Sequence, residues 1–423
     1  MIQKVNLFVN KRELILFVIA LLTIILIKIF LSYLNYKNFI SKPFYYTDVK
    51  IISIYPKNSN FNFSKLVKVK SDDGYIFFIY VNSKDSYKNQ RLRVRLTSIQ
   101  KLTFIEFMTT FFIKYEIKKI YKGDYQNSNF LILQKNIISQ HGDDFIQEFY
   151  SAIFLATPIS KELRLKISKL GASHLIALSG FHLSILWIFI YKIVSLPYKY
   201  TQKRYFPYRH SLLDIGFITV TTLGFYVWFV DMPPSLIRSY SMIFLVWIFT
   251  LLGIEIFSFI FLLTIALLLI AIDVSLLFSI AFWLSIFGVL YIYLINLYTK
   301  DIKNSILRYL LFLFGIFLLM LPIVHTIFDI TTLSQPISIL LSLIFTIFYP
   351  ISIMLHIIGY GYIFDEYLLY LIDFASQNSS YIMPLTFDIT LIYLVVSIAS
   401  IFSKNIFLFL TFISISYAIY LFS

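Results

Sequence analysis

LILFVIALLTIILIKIFLSYL, residues 14–34, carries a single charge, Lys28, in 21 residues, and Lys4, Lys11 and Arg12 stand before it. A helix needs about 20 apolar residues to cross the roughly 30 Å hydrocarbon core of a bilayer, so this stretch predicts a membrane span. It is longer than the apolar centre of a signal peptide and no small-residue cleavage site follows it. It therefore predicts an uncleaved anchor with the N-terminus in the cytoplasm. The bias persists across the chain of 423 residues, which has 59% hydrophobic and 14% charged residues and a mean hydropathy of +0.80, more apolar than a soluble globular domain. Further apolar runs at residues 175–196, 212–230, 236–253, 256–272, 275–298, 309–325, 337–358, 382–400 and 406–421 raise the predicted spans to ten. The expected fold class is a polytopic α-helical membrane protein. Alternating these spans puts residues 191–210, with Lys192, Lys199, Lys203, Arg204 and Arg209, on the cytoplasmic side with Lys300, Lys303, Arg308 and the C-terminus; Lys404 is the exception. Residues 360–373 are too polar to span and read as a surface or re-entrant helix.

The formal charge of +14 is unevenly placed: residues 1–210 hold 31 Lys+Arg against 12 Asp+Glu, and residues 211–423 hold 5 against 10. A nucleotide-biased genome rich in Lys codons gives one account of that excess; a polyanionic partner gives another. Residues 35–103 change character, with polar turns at Pro56–Asn60, Ser71–Gly74 and Asn82–Asp85 between short β-type runs. They predict a small β domain outside the cytoplasm. In Arg91-Leu-Arg93-Val-Arg95-Leu96, read as its last strand, the period-2 alternation puts three arginines on one face and Leu92, Val94 and Leu96 on the other. Residues two apart in a strand are about 6.6 Å apart, close to the phosphate spacing of an extended nucleic-acid strand. Lys68 and Lys70 repeat the theme, and Tyr75, Phe77, Phe78 and Tyr80 supply rings for base stacking. An exposed edge strand also carries charge merely to stay soluble. Residues 104–170 form a connecting segment, with an amphipathic helix expected over 104–121 and His141-Gly-Asp-Asp144 reading as a solvated turn rather than a metal site.

The polar anomalies lie further on, in the expected transmembrane domain of residues 171–423. Gly171-Ala-Ser-His174-Leu-Ile-Ala-Leu-Ser179-Gly180-Phe-His182-Leu-Ser-Ile-Leu186 sets two histidines and a Ser-Gly step into an apolar run. Unpaired polar groups in hydrocarbon cost several kcal/mol, so such residues face a bundle interior, a partner or a water-filled path. On one continuous helix His174, Leu178 and His182 would share a face, with Ser179 beside His182. Asp231-Met-Pro233-Pro234-Ser235-Leu-Ile-Arg238-Ser239 breaks the chain at its prolines, offers Ser235 as a helix cap and brings Arg238 into the apolar zone one turn later. Asp273 sits at another helix junction, and it and Asp231 are candidate partners for Arg238 or simple caps.

The string from Gly171 to Leu186 resembles the signature of the ComEC competence proteins, an inner-membrane family that carries DNA into the bacterial cytoplasm during transformation. The resemblance implies that His174, Leu175, Ala177, Ser179, Gly180 and His182 are motif positions. Pro234-Ser235-x-x-Arg238 with Met242 is similar to a second family element, and Asp273 with Phe282-Trp-Leu-Ser285 to a degraded third. Ser342 stands where an asparagine is usual in a later one. The resemblance also implies an OB-like identity for the β domain. The metallo-β-lactamase-like domain of longer members would bring a His-x-His-x-Asp-His string, which this sequence lacks.

The expected function is an inner-membrane channel for single-stranded DNA, lined by His174, Ser179, Gly180, His182, Ser235, Arg238 and Asp273, with Lys68, Lys70, Arg91, Arg93 and Arg95 binding DNA on the β domain. With no cysteine and no phosphate-binding Gly-x-x-x-x-Gly-Lys-Ser/Thr loop, no cofactor and no metal are expected, and a separate cytoplasmic motor supplies the energy. The other expected partners are membrane lipid, an extracytoplasmic DNA-binding protein and further copies of the chain. The rival reading is an intramembrane serine hydrolase using Ser179 with a histidine; it wants a Gly-x-Ser-Gly turn, and Ala177 occupies the first glycine position. A solute transporter would carry an internal repeat, and none is found.

Overall fold

The computed structural model describes residues 7–8, 10–56, 64–82, 90–97, 99–122, 128–256, 258–328, 330–377 and 379–422. The first helix, α1 (Lys11–Ile40), has 30 residues. At 1.5 Å per residue it is about 45 Å long, so its last turns extend beyond a bilayer core. Those turns hold the β domain. Phe39 is buried against the rings of Tyr45, Tyr75, Phe107 and Phe111, and the Tyr36 hydroxyl donates to the Leu102 carbonyl at 2.7 Å.

The β domain follows as β1 (Tyr45–Pro56), β2 (Ser64–Ser71), β3 (Ile76–Asn82), β4 (Gln90–Thr97), a short α2 (Phe104–Met108), β5 (Phe111–Phe112) and β6 (Lys114–Lys122). β1 pairs antiparallel with both β2 and β4, β3 pairs with β2, β5 runs parallel to β3, and β6 runs antiparallel to β4. Because β5 and β6 are consecutive, residues 111–122 bridge β3 to β4 and the sheet closes on itself. Closure removes the unpaired edges an open sheet would expose. Leu92, Val94 and Leu96 point into the closed core with Val49, Val69, Phe77 and Ile79, and the arginines point out, as the alternation predicts. The domain nevertheless does not stop at residue 103. The amphipathic helix expected over 104–121 ends after Met108, and Lys114-Tyr-Glu-Ile-Lys-Lys-Ile-Tyr-Lys122, rich in residues that favour strands, pairs with β4, which is thus not the last strand. The Ser71–Gly74 turn forms, with Gly74 at φ 91°; residues 57–60 and 83–85 of the other two expected turns lie outside the described residues.

The helical body comprises α3 (Ser128–Ile138), α4 (Asp144–Leu155), α5 (Lys161–Lys169), α6 (Ser173–Ile176), α7 (Gly180–Tyr205), α8 (Ser211–Phe229), α9 (Pro234–Leu251), α10 (Phe259–Ile272), α11 (Ile280–Thr299) and α12 (Ser305–Ile327). After a two-stranded pair formed by β7 (Ile330–Thr331) and β8 (Tyr381–Ile382) come, in chain order around it, α13 (Ile337–Ile358), α14 (Asp365–Gln377), α15 (Phe387–Ala399) and α16 (Lys404–Phe422). Among the described residues eight helices are long and apolar enough to cross a membrane: α1, α7, α8, α9, α11, α12, α13 and α16. The other two predicted spans are α10 and α15, of 14 and 13 residues. At about 21 Å and 20 Å they fall short of the hydrocarbon thickness as helices alone, because they begin late, after the N-caps Ser258 and Thr386, inside runs expected to start at residues 256 and 382. The polar stretch after α13 forms a short turn of helix and then α14, which packs against α5 and is no span.

Two helical cores result. One gathers α4, α5, α6, the start of α7, and parts of α8, α13 and α14; the other gathers α1, α10, α11, α12, α15 and α16. α4, expected as part of a peripheral connector, sits inside the first, with Ile146 and Tyr150 to Leu155 all buried. Tyr226 and Tyr349 donate their hydroxyls to the carbonyls of Phe154 and Ile153 near its end. α9 belongs to both cores: Leu236, Tyr240 and Ile243 pack on the first, and Met242, Leu245, Val246 and Phe249 on the second. α8 approaches α9 closely because a Cβ at Gly216 would meet Trp247 and one at Gly224 would meet Tyr240.

Candidate functional site

The Gly171–Leu186 segment is not one helix. α6 ends at Ile176, Ala177 is extended, and Ser179 (φ −137°, ψ 179°) is the N-cap of α7. The break places His174 and His182 in different elements. Ser179 Oγ accepts from the Phe181 N–H at 3.3 Å, and the Ser179 N–H donates to His182 Nδ1 at 3.4 Å. His182 thus fills the place that Glu or Gln takes in a capping box. Its Nε2–H donates to the Leu175 carbonyl at 3.0 Å, which assigns the neutral tautomer with Nδ1 as acceptor. The ring is fully buried, edge-on to Phe345 and Tyr349 of α13 at 5.0 Å each. Ser179 Oγ does lie 3.3 Å from His182 Nδ1, but both atoms are spent on the helix start.

His174 is exposed by contrast. Its Nδ1–H donates to the Gly171 carbonyl at 3.1 Å and its Nε2 is 3.1 Å from Ser342 Oγ on α13. The Ser342 hydroxyl has a second acceptor, the Ser338 carbonyl at 2.7 Å. A neutral His174 takes the hydroxyl proton, whereas a protonated one donates to Ser342 and leaves that proton to Ser338. The turn before it is clamped from the far end of the chain. Thr332 and Ser334 both donate to the Lys169 carbonyl, the latter at 2.8 Å. Gly171 has φ +65°, and a Cβ there would stand 3.1 Å from the Gln335 carbonyl oxygen, so the position needs glycine twice over.

The second cluster meets the first through Gly180, where an added Cβ would lie 3.2 Å from Ser239 Oγ on α9. Ser235 is not the cap of α9. Pro233 is, with Pro234 at the first helical position, and the Ser235 carbonyl accepts the Ser239 hydroxyl at 2.9 Å. The preceding turn is strained, with Asp231 and Met232 at φ 64° and 51°; each such non-glycine residue costs on the order of 1 kcal/mol. Asp231 pairs with Lys50 of β1 at 3.4 Å, and Asp273 caps the turn at Val274–Phe278 by accepting from the Ser275 N–H at 3.0 Å. Neither reaches Arg238. The guanidinium, half-buried on the seam helix, donates to the Ser279 hydroxyl at 3.4 Å, and among the described residues no carboxylate lies within ion-pair distance.

On the β domain each arginine of β4 faces an acid: Arg91 pairs with Asp72, Arg93 with Asp48 at 4.0 Å and Arg95 with Glu116 at 3.5 Å. Phe77 is in the core and Tyr75 packs against Phe39 and Phe107, so neither offers a face to a base. The outward rings are Phe78, Tyr80 and Phe112, with Phe112 stacked on Phe78 at 5.0 Å and on Tyr80 at 6.2 Å. Lys68 lies 5.8 Å over Phe78, and burial of its stem pushes its ammonium pKa down; Lys70 is exposed.

Sequence reading placed Ser239 beside Arg238 and missed Ser279, Thr332, Ser334, Gln335 and Phe112 as contributors. Serines and threonines are common residue types, and the partners of Ser279, Thr332 and Ser334 lie 41 to 165 residues away. Among the described residues no cluster of three or more His, Cys, Asp or Glu is arranged to hold a metal. Neither a search of curated proteins nor one of solved structures returned a match. A family model described as Competence protein matches residues 156–422, well over half of the chain, with both polar clusters inside it, and the chain belongs to that family.

Proposed function

We propose that this multi-pass membrane protein takes up DNA as a single strand, in the manner of the ComEC proteins, through the seam between its two helical cores. The observation that carries the reading is Arg238: a half-buried guanidinium on the helix shared by both cores, with one hydroxyl and, among the described residues, no carboxylate about it. Guanidinium groups bind phosphate oxygens through two parallel N–H donors, and a phosphodiester entering the seam would supply the missing anion. Ser235, Ser239 and Ser279 offer neutral hydroxyls beside it. Exposed His174, with Ser342 as a rotor partner, adds a donor on the other side of the Gly180 contact. Asp273 takes the role of a cap at the edge of this path, and His182 that of a fixed strut behind the lining.

In this reading the β domain is OB-like, and its stack of Phe78, Tyr80 and Phe112 beside Lys68 suits single-stranded bases better than the acid-paired arginines of β4. The N-terminus and the basic segment at residues 192–209 face the cytoplasm across the inner membrane in this reading. A cytoplasmic motor, an extracytoplasmic DNA-binding protein and a second copy of the chain remain its proposed partners. The test follows fluorescent DNA in cells carrying Arg238→Ala or Arg238→Lys. Uptake is expected to stall at the inner membrane with Ala and recover in part with Lys, at unchanged protein level. Normal import with Arg238→Ala overturns the reading.

A further inference from the structure

His141, far from the clusters above, is not a solvated turn residue: its side chain is fully buried and joins a chain of three ionisable groups. Its Nδ1 lies 2.9 Å and 3.0 Å from the two carboxylate oxygens of Asp365, at the start of α14. Its Nε2 is 2.9 Å from Nε2 of His356, in the last turn of α13, and Nδ1 of His356 is 2.6 Å from the Ser352 carbonyl. The Tyr150 ring of α4 stacks on His141 at 4.4 Å and 9°. Gln140 ties the same corner, accepting from the Gly361 N–H at 2.9 Å and donating to the His356 carbonyl at 3.1 Å.

Each of the three contacts needs one hydrogen. The Ser352 carbonyl can only accept, so Nδ1 of His356 must carry one; one more lies between the two Nε2 atoms and one between His141 and Asp365. Two neutral imidazoles bring two. With two, some contact sets lone pair against lone pair; with three, an imidazolium balances the carboxylate and the buried chain is neutral overall. We propose that His141, His356 and Asp365 form a buried site for one proton, whose occupancy latches the C-terminal turn of α13 onto the turns that begin α4 and α14.

The other titratable groups facing the site are Asp143 and Tyr150, both from the α4 side. Burial, with the Asp143 charge adding to it, pushes the Asp365 carboxyl above the usual carboxylate range, while contact with His141 pulls it back. Burial, with Asp365 adding, pushes the Tyr150 phenol up, so it stays neutral. The latch reaches the first polar cluster through α13 itself, which carries Ser342 against His174 and Phe345 and Tyr349 against His182. It stands whatever crosses the membrane.

The test is amide hydrogen exchange on the full chain in detergent micelles from pH 6 to pH 9, corrected for the intrinsic rate, read over residues 352–364. In the unaltered protein, protection is expected to fall by about tenfold or more as the pH rises and the shared proton leaves. Asp365→Asn should be protected and flat with pH, because its amide donates to His141 Nδ1 without an added proton. His356→Gln should be protected and flat with pH, because its amide donates to His141 Nε2 without an added proton. Protection that does not change with pH in the unaltered protein overturns the proposal, as does a His356→Gln profile that falls as the original does.

Discussion

Gly180 and Ser239 join the two polar clusters: the first residue of α7 packs on α9 so closely that a Cβ at residue 180 would stand 3.2 Å from the Ser239 hydroxyl oxygen. Gly180→Ala should therefore destabilise the chain by about 1 kcal/mol despite alanine's better helix propensity, and overpacking sets the sign. Gly180→Ala with Ser239→Ala should regain most of that loss. Thermal unfolding of the two single variants and the double variant measures the coupling.

His182 serves as cap and packing residue together. His182→Ala removes a capping partner worth about 1 kcal/mol and leaves a cavity beside Phe345 and Tyr349, for a total of about 3 kcal/mol. His182→Gln can rebuild the capping box and should retain roughly half of the difference. Circular dichroism melts in one detergent rank the three proteins; equal melting points for Ala and Gln would remove the cap from the account.

On the β domain, the outward aromatic stack and the acid-paired arginines make opposite predictions for single-stranded DNA. Phe112→Ala should weaken binding of an oligothymidine by about 1–2 kcal/mol, the worth of a stacked base. Glu116→Gln should strengthen it and steepen its salt dependence, because Arg95 is then free to meet a phosphate. Fluorescence anisotropy at two salt concentrations separates the two effects.

Glu106 closes a capping box on α2: its carboxylate accepts from the Thr103 backbone N–H and hydroxyl, both at 2.8 Å, and these bonds hold its pKa below the usual carboxylate range. A carboxyl with a depressed folded pKa stabilises above its unfolded value, and the contribution disappears as pH falls through the folded one. Amide protection of α2 is expected to drop below about pH 4.5 for that reason. Glu106→Gln should make that drop vanish, since the amide does not titrate there.

Much of the architecture was legible because hydropathy acts locally. The eight helices long and apolar enough to cross a membrane and the inward Leu92, Val94 and Leu96 follow from runs and alternation that any fold must bury. The length of α10 and α15 was not, since N-caps at Ser258 and Thr386 start them inside apolar runs that hydropathy alone extends back to residues 256 and 382. The strand at Lys114–Lys122 was misread because pairing with β4 decided a conformation that its local pattern left open.

The residue types at the site were set by the sequence: His174, Ser179, Gly180, His182 and Arg238 stand out as polar or small groups among hydrocarbon whatever the fold. Their roles were decided by tertiary structure, because a hydrogen bond needs a partner at about 3 Å and the partners come from distant segments. His174 meets Ser342, Gly180 meets Ser239, Arg238 meets Ser279 in place of an acid, and His182 turns inward to cap its own helix. His141 shows the same limit most plainly. Its neighbours in sequence are Gly142 and Asp143, while the groups that fix its hydrogens, His356 and Asp365, are 215 and 224 residues away.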